Sequence, residues 1–565
     1  MSMIDQPSPA LHYGRPVTGA NQPRDDVTRH LIPQSVNLLA ALLLTPVVAL
    51  LAATAGRAAT PDILLPYPVA ITLPAGTDSI GADDPSIHDL IGTVRAGEDT
   101  VTVTLPQDRI GVGVFRVIWS AWDPKSPEHP AARRDSSLFV LPRGMTVVGA
   151  SGGGNALAGN NTPHIARDAW GSLHMVWYDS YGGMSDGAQY RRAHIMPDGS
   201  VQFETGVMPL GPHPGSWSSM PTVAAFGNTV HFAWQADGTL RYRSLTRDGS
   251  DWRWSDELDT KVSGPGRDTG PSIVADGSGV HILTTASVYT TSADGGRTWT
   301  TEKVNFGDDQ HVKTVSLTID SSGHPVAAAS SVIASPPMDE DKGHGGYWTI
   351  RMLRRVAPGQ WERISGPLDG RPEWAAPLRT DEDVLADWVR VMADRAGGLH
   401  VTWHGTAVSR IYANDRAYYA WRSADGAWRA PVSLRDADPE HGLGWSYAPA
   451  LIMDGERALT LVFHNMVVGR QQRGFDVDLG LFRDGRSLTP ALPVTRFARD
   501  SIVTGQPQNA LSSWFPGADP TVERGGDGRV WADMLLSLAP TGASGPSLIV
   551  LDRLELTAWL KAAGQ

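Results

Sequence analysis

One pattern returns about seven times along this chain and limits its fold more than any single motif does. It is a proline or apolar residue, a short apolar strand, an Asp/Gly turn, and an apolar strand that carries His and Trp. It runs from Pro163 to Trp177 (PHIARDAWGSLHMVW), from Pro221 to Trp234 and from Pro271 to Leu283. Weaker copies begin near Val315, Val389, Pro449 and Pro520. The spacing, about 45 to 75 residues, is that of a four-stranded propeller blade with variable loops. Such a unit buries its two apolar faces only against copies of itself, so the copies must close into a ring. The expectation is an all-β fold, with a propeller of about seven blades over residues 150–556. The count falls to six if the fourth or seventh copy is misread.

A second element follows several copies: an aromatic strand, then Ser-x-Asp-Gly and Trp. The fullest instance is Ser292-Ala-Asp-Gly-Gly-Arg-Thr-Trp299, with a degenerate copy at Ser423–Trp428 and remnants at Asp248–Trp252 and Asp484-Gly485. This octapeptide resembles the Asp-box, or BNR, repeat of sialidase-like propellers. The resemblance spans roughly 150–556 and implies a fold rather than a chemistry, because Asp boxes lie on the face opposite the usual site. Sialidases themselves open the propeller with an Arg-Ile-Pro motif. Here the nearest match, Phe115-Arg-Val117, lies in the preceding segment. Related propellers include polysaccharide lyases and hydrolases with paired carboxylates.

Upstream of the ring, residues 62–143 alternate β-branched and polar positions between Pro, Gly and Asp turns, as a small β-sandwich does. Val117–Pro124 and Leu138–Pro142 resemble the last strands of HYR-type immunoglobulin-like modules. Gly149–Asn155 reads as a linker. Further upstream, Val36–Ala55 is a 20-residue run without charge, long enough to cross a bilayer as a helix. Arg24, Arg29 and His30 precede it and place residues 1–35 on the cytoplasmic side. Two fates remain open: cleavage as a signal peptide near Gly56-Arg57-Ala58, or retention as a membrane anchor. Either way the bulk of the chain is extracytoplasmic.

A net charge of −12, with no basic cluster, excludes a nucleic-acid partner. The absence of cysteine excludes disulfides and thiolate metal sites. Asp339–His344 offers the oxygen ligands that calcium takes; otherwise no cofactor is expected.

Blade geometry places the candidate site. An inner strand starts at the ligand-bearing face, turns at the far face, and the second strand returns. Residues before each first strand and after each second strand therefore surround the opening. The first set is Asn161, His164, Trp217, Ser218, Arg267, Asp268, His311, Lys313, Asp387, Arg390, Trp445, Tyr447 and Asp519. The second is Tyr178, Asp179, Tyr181, Gln235, His404, His464 and Asn465. For catalysis the candidates are His404 as base, Tyr178 as acid and Arg390 as carboxylate clamp, with Asp387 beside them. For substrate binding they are His164, Arg267, Asp268, Trp445, Tyr447 and His464. Such chemistry suits a polysaccharide or glycoconjugate, whether hydrolysed or cleaved by elimination. The alternative is a membrane-anchored glycan-binding or scaffold subunit without turnover. His174, His231, His281 and His400 recur at one strand position and are read as structural, bonded to a neighbouring blade.

Overall fold

The computed structural model describes the backbone of six strands between residues 63 and 141, and most of 144–564. It leaves out 1–62 and the segments 153–155, 158–162, 182–183, 212–217, 264–269, 308–311, 333–347, 368–384, 407–414, 435–445, 469–470, 498–510 and 541–546. The hydrophobic segment Val36–Ala55 and the acidic loop Asp339–His344 thus lie outside the described residues. Among those described, no helix is long and apolar enough to cross a membrane.

The early strands form two sheets. One orders Ile63–Pro66, Pro130–Leu141, Gly113–Trp122 and Ser79–Ala82; the other pairs Ala70–Thr72 with Thr102–Thr104. Then come seven antiparallel sheets, each led by an inner strand: Ile165–Arg167, Ser218–Phe226, Ser272–Asp276, Val312–Ile319, Leu385–Ala393, Ser446–Asp454 and Leu511–Ala518. Each inner strand packs beside the next, and the seventh returns to the first. The ring is a closed seven-bladed propeller.

The blades are apolar on both faces because each is sandwiched between two others. In blade 5, Val389, Val391, Leu399, Val401 and Trp403 pack on Val326, Ala328, Ile350 and Met352 of blade 4. Tyr419 faces the other way, onto Phe482 of blade 6 at 4.4 Å between ring centroids. Fully buried aromatic side chains of this size each contribute about 1.5–3 kcal/mol. Where blades 4 and 5 meet, hydroxyls stand in for a backbone ladder. The amides of Val389, Val391 and Ala393 donate to Thr314 Oγ1 (3.2 Å), Ser316 Oγ (3.0 Å) and Thr318 Oγ1 (3.2 Å).

Both ends of the ring segment supply blade 7. Ser547–Glu555 is its third strand, and Met145–Ser151 adds the outermost one, with Ser151 paired to Ser547. The glycine-rich stretch from Gly149 is therefore partly strand rather than linker. The register of this blade also corrects the seventh repeat: the inner strand is Leu511–Ala518, so Pro520 lies past its end. An ion network crosses the closing seam at that end. Arg167 of blade 1 pairs with Asp533 and with Glu523 (3.0 Å), and Arg553 bonds the same two carboxylates. Asp519 lies within reach of the charges of Asp533 and Arg167.

The recurrent histidines lie at the far face, and their hydrogen bonds stay within their own blades, contrary to the expectation of a bond to the next one. Nδ1 of His174, His231, His281 and His400 meets the hydroxyl of Tyr190, Tyr242, Tyr289 and Tyr419 at 3.0, 2.7, 2.6 and 2.8 Å. Nε2 of His174 and His400 meets Asp168 and Asp394 at 3.0 and 3.1 Å. The neighbouring blade contributes packing instead, as where His174 lies edge-on to Trp252 at 5.3 Å.

Candidate functional site at the mouth of the ring

Five of the seven inner strands share a device at their entry. Register slips between Ser219 and Thr222, Val312 and Thr314, Asp387 and Arg390, Tyr447 and Ala450, and Trp514 and Gly517. Three of these bulges hold Pro221, Pro449 or Pro516, where a missing N–H removes no ladder bond. A bulge re-aims the side chains around it. Two bulky residues pay for this in backbone conformation: Met220 and Trp388 have φ of 50° and 55°, a region that such side chains enter only when packing holds them there. Both are buried in one apolar cluster that also holds Leu157 and Phe475.

Behind the bulges lie the charged and titratable groups. Arg390 is 5% exposed, and burial lowers its guanidinium to about 10, which leaves it cationic at neutral pH. His164 is wholly buried. Burial, and then the positive charge of Arg390, lower its ring to about 4, so it is neutral. These two residues stand on blades 5 and 1, which are not neighbours, so Arg390 acts on His164 across the central opening. The carbonyls of Leu157, Pro221 and Val176 favour the protonated ring, yet neither ring nitrogen completes a hydrogen bond among the described residues. Gly517 makes room for it: a Cβ there would sit 3.2 Å from His164 Cβ.

His404 is 1% exposed, and its ring centroid lies 6.2 Å from that of Trp388. Arg390 pairs in register with Thr402, so Arg390, Thr402 and His404 share the face of blade 5 that looks toward blade 6. From blade 6, Val477, Leu479 and Leu481 turn away into another core, which directs buried Asp476 and Asp478 toward blade 5. Asp476 accepts a hydrogen bond from Thr495 Oγ1 at 3.3 Å. Neither carboxylate is among the sequence candidates. Their signal is the alternation Phe475-Asp-Val-Asp-Leu479 on a strand with no solvent-facing side.

The sequence candidates fall into three groups. Arg390, His404 and His164 come together at the mouth. Tyr178 is half-buried on blade 1, three blades from His404 by the shorter arc, and Asp179 beside it accepts from the Gly152 amide at 2.8 Å. The backbone of Asp387 lies opposite His404, that of Tyr447 opposite Phe463, and that of His464 beside Asp476; their side chains are outside the described residues, as are Arg267, Asp268 and Trp445 altogether. Asp519 does not belong to the mouth. It follows the end of its inner strand and lies at the far face, because that strand starts earlier than the repeat suggests. Among the described residues no group of three His, Asp or Glu is placed to hold a metal.

No family model matches the chain, and no curated protein matches it significantly. Solved structures similar to it include a PL25 ulvan lyase, at 13% identity over 74% of this chain and 98% of that one, with a TM-score of 0.47. The sialidase of Trypanosoma rangeli in complex with the inhibitor DANA is 11% identical over 71% of this chain and 56% of that one, TM-score 0.37. This chain thus spans just over half of the sialidase. A third is YCF48 bound to a D1 peptide, 13% identical over 72% of this chain and 97% of that one, TM-score 0.31.

Proposed function

We propose that this is an exported, carbohydrate-active propeller that takes the carboxylate of an acidic glycan at its mouth and cleaves the chain by elimination. The observation that carries this reading is Arg390, a buried cation on an inner strand whose charge reaches the opposite side of the opening. A guanidinium matches a carboxylate through two parallel N–H···O bonds, and both gain strength where water is excluded. With the uronate carboxylate neutralised there, the proton beside it becomes acidic. His404 removes that proton, the bond to the leaving glycosidic oxygen breaks as the ring double bond forms, and Tyr178, on the blade that carries His164, protonates the departing oxygen from the other side of the opening. Neutral His164 adds polarity without a competing charge. Ser292–Trp299 is read as an Asp-box turn that shapes the far face and takes no part in the chemistry. Export rests on the uncharged run Val36–Ala55.

The second reading, a ring that binds glycan without turnover, is favoured by the depth of His164, His404 and Arg390, whose exposure is 0–5%. One experiment separates the two. The full chain is incubated with alginate, pectate and hyaluronan, and ultraviolet absorbance of the unsaturated product is followed. Turnover that disappears in both Arg390→Ala and His404→Ala supports elimination. Binding that needs Arg390, with no product from any polymer, supports the binder, and wild-type turnover in both variants rejects the assignment of residues.

A further inference from the structure

At the face opposite the mouth, one five-residue turn joins the first and second strands of three blades. It reads Asp168-Ala-Trp-Gly-Ser172 in blade 1, Asp320-Ser-Ser-Gly-His324 in blade 4 and Asp394-Arg-Ala-Gly-Gly398 in blade 5. In each, the aspartate carbonyl accepts the amide three residues on, at 3.1, 2.9 and 3.3 Å. Its Oδ1 accepts the amide four residues on, at 3.0, 3.0 and 2.7 Å. The fourth position is glycine at φ 86°, 81° and 92°, the left-handed region glycine enters freely. The third position is Trp170, Ser322 or Ala396. The turn itself therefore needs no more than a small residue there.

Trp170 is 55% exposed, the one exposed tryptophan among the described side chains. Its turn is fastened to the core through Asp168, His174 and Tyr190, so the indole is held out on a rigid mount. The guanidinium carbon of Arg247 lies 4.5 Å from its ring centroid. Arg247 is fixed in turn, its amide donating to Asn228 O (2.8 Å) and its Nε to Gly249 O (3.1 Å). One face of the indole is covered by a cation; a ring still this exposed presents the other to water. The adjacent acid, Asp248, pairs with Arg253 at 3.3 Å, and among the described residues Arg247 has no carboxylate partner.

We infer that Trp170 and Arg247 form a second saccharide-binding site, on the far face of the ring, for an acidic polysaccharide. A pyranose ring stacks on the open indole face, and the carboxylate or sulfate of an adjoining sugar unit reaches past the edge of the indole to Arg247. Lipid is a poorer fit. Asp248, Ser250, Asp251 and Arg253 beside the pair are exposed, and together with Arg247 they sum to no net charge, whereas an interfacial patch is contiguous, apolar and basic. The site does not depend on the chemistry at the mouth.

The test is affinity electrophoresis of the full chain through gels containing alginate, pectate or heparin, with vesicles of phosphatidylglycerol assayed separately. Trp170→Ser and Arg247→Gln should keep the native melting temperature, since the same turn carries Ser in blade 4, and should bind at least one of the polymers about tenfold more weakly. Retention that depends on Arg390 but not on Trp170 would overturn the second site while leaving the mouth intact. So would a wild-type chain that none of the three polymers retains, or a Trp170 effect confined to the vesicles.

Discussion

Replacing Asp519 with Asn should stabilise the ring, and by an amount that grows with pH. Asp519 is 3% exposed. Its Oδ1 accepts from the amide and hydroxyl of Thr521 at 2.9 and 3.2 Å, while Oδ2 has no hydrogen-bond partner among the described residues. Burial, and secondarily the negative charge of Asp533, raise the carboxyl from 3.8 to about 6 against the opposing pull of Thr521 and Arg167. A raised carboxyl means that the folded ring holds a proton the unfolded chain would release. The penalty for ionising it is absent below about pH 4, builds between about pH 4 and 6, and is complete above that. At about 1.4 kcal/mol per pH unit, that interval amounts to about 3 kcal/mol at neutral pH. Asn keeps the Oδ1 acceptor and carries no charge. Urea denaturation of both proteins from about pH 4 to about pH 7.5 isolates the effect, because Asp552, also raised to about 6 by burial, is common to both. The two stability curves should meet near the acid end and separate by about 3 kcal/mol at neutrality. Parallel curves, or a variant weaker than wild type at neutral pH, would refute the reasoning.

Three further outcomes follow from the packing. Gly279→Ala places a Cβ 2.1 Å from the Ser292 carbonyl oxygen at φ 135°, so a loss of several kcal/mol, or no soluble protein, is expected in thermal melts. Thr314→Val leaves the buried Val389 amide without its acceptor and should cost about 1–3 kcal/mol by denaturation, whereas Thr314→Ser retains that acceptor and should preserve most of the stability. Tyr419→Phe removes the hydroxyl that His400 Nδ1 meets at 2.8 Å in a fully buried pair; a loss of about 1–2 kcal/mol is expected, with no change in glycan binding at the mouth.

The ring is legible because its punctuation repeats: Asp/Gly turns at the far face followed by strands bearing His or Trp. Where a second Asp/Gly turn intervenes, the register is ambiguous. Gly526-Asp-Gly528 draws the seventh copy toward Pro520, whereas the true inner strand, Leu511–Ala518, carries no acidic marker. The histidines are legible as structural, but their tyrosine partners are not. Those partners lie 16, 11, 8 and 19 residues downstream, an interval set by loop length rather than by blade geometry. Arg390, His404 and His164 are legible as mouth residues from strand direction alone. Asp476 and Asp478 escape a sequence reading because alternating acids normally mark a wetted sheet face, and a blade packed on both sides has none.

The strand borrowed from ahead of the first blade gives synthesis an order. Met145–Ser151 leaves the ribosome almost four hundred positions before Ser547–Glu555, its only ladder partner among the described residues. Until then the nascent protein is an open arc with one unmatched sheet edge and a waiting tail, a form exposed to pairing with another chain. Closure of blade 7 therefore cannot precede the synthesis of Ser547–Glu555. A proteolytic cut between Ser151 and Ile165 would sever the covalent link between the outermost strand of blade 7 and blade 1 while leaving every inner strand intact, so the seam would then rest on its ladder and its packing alone.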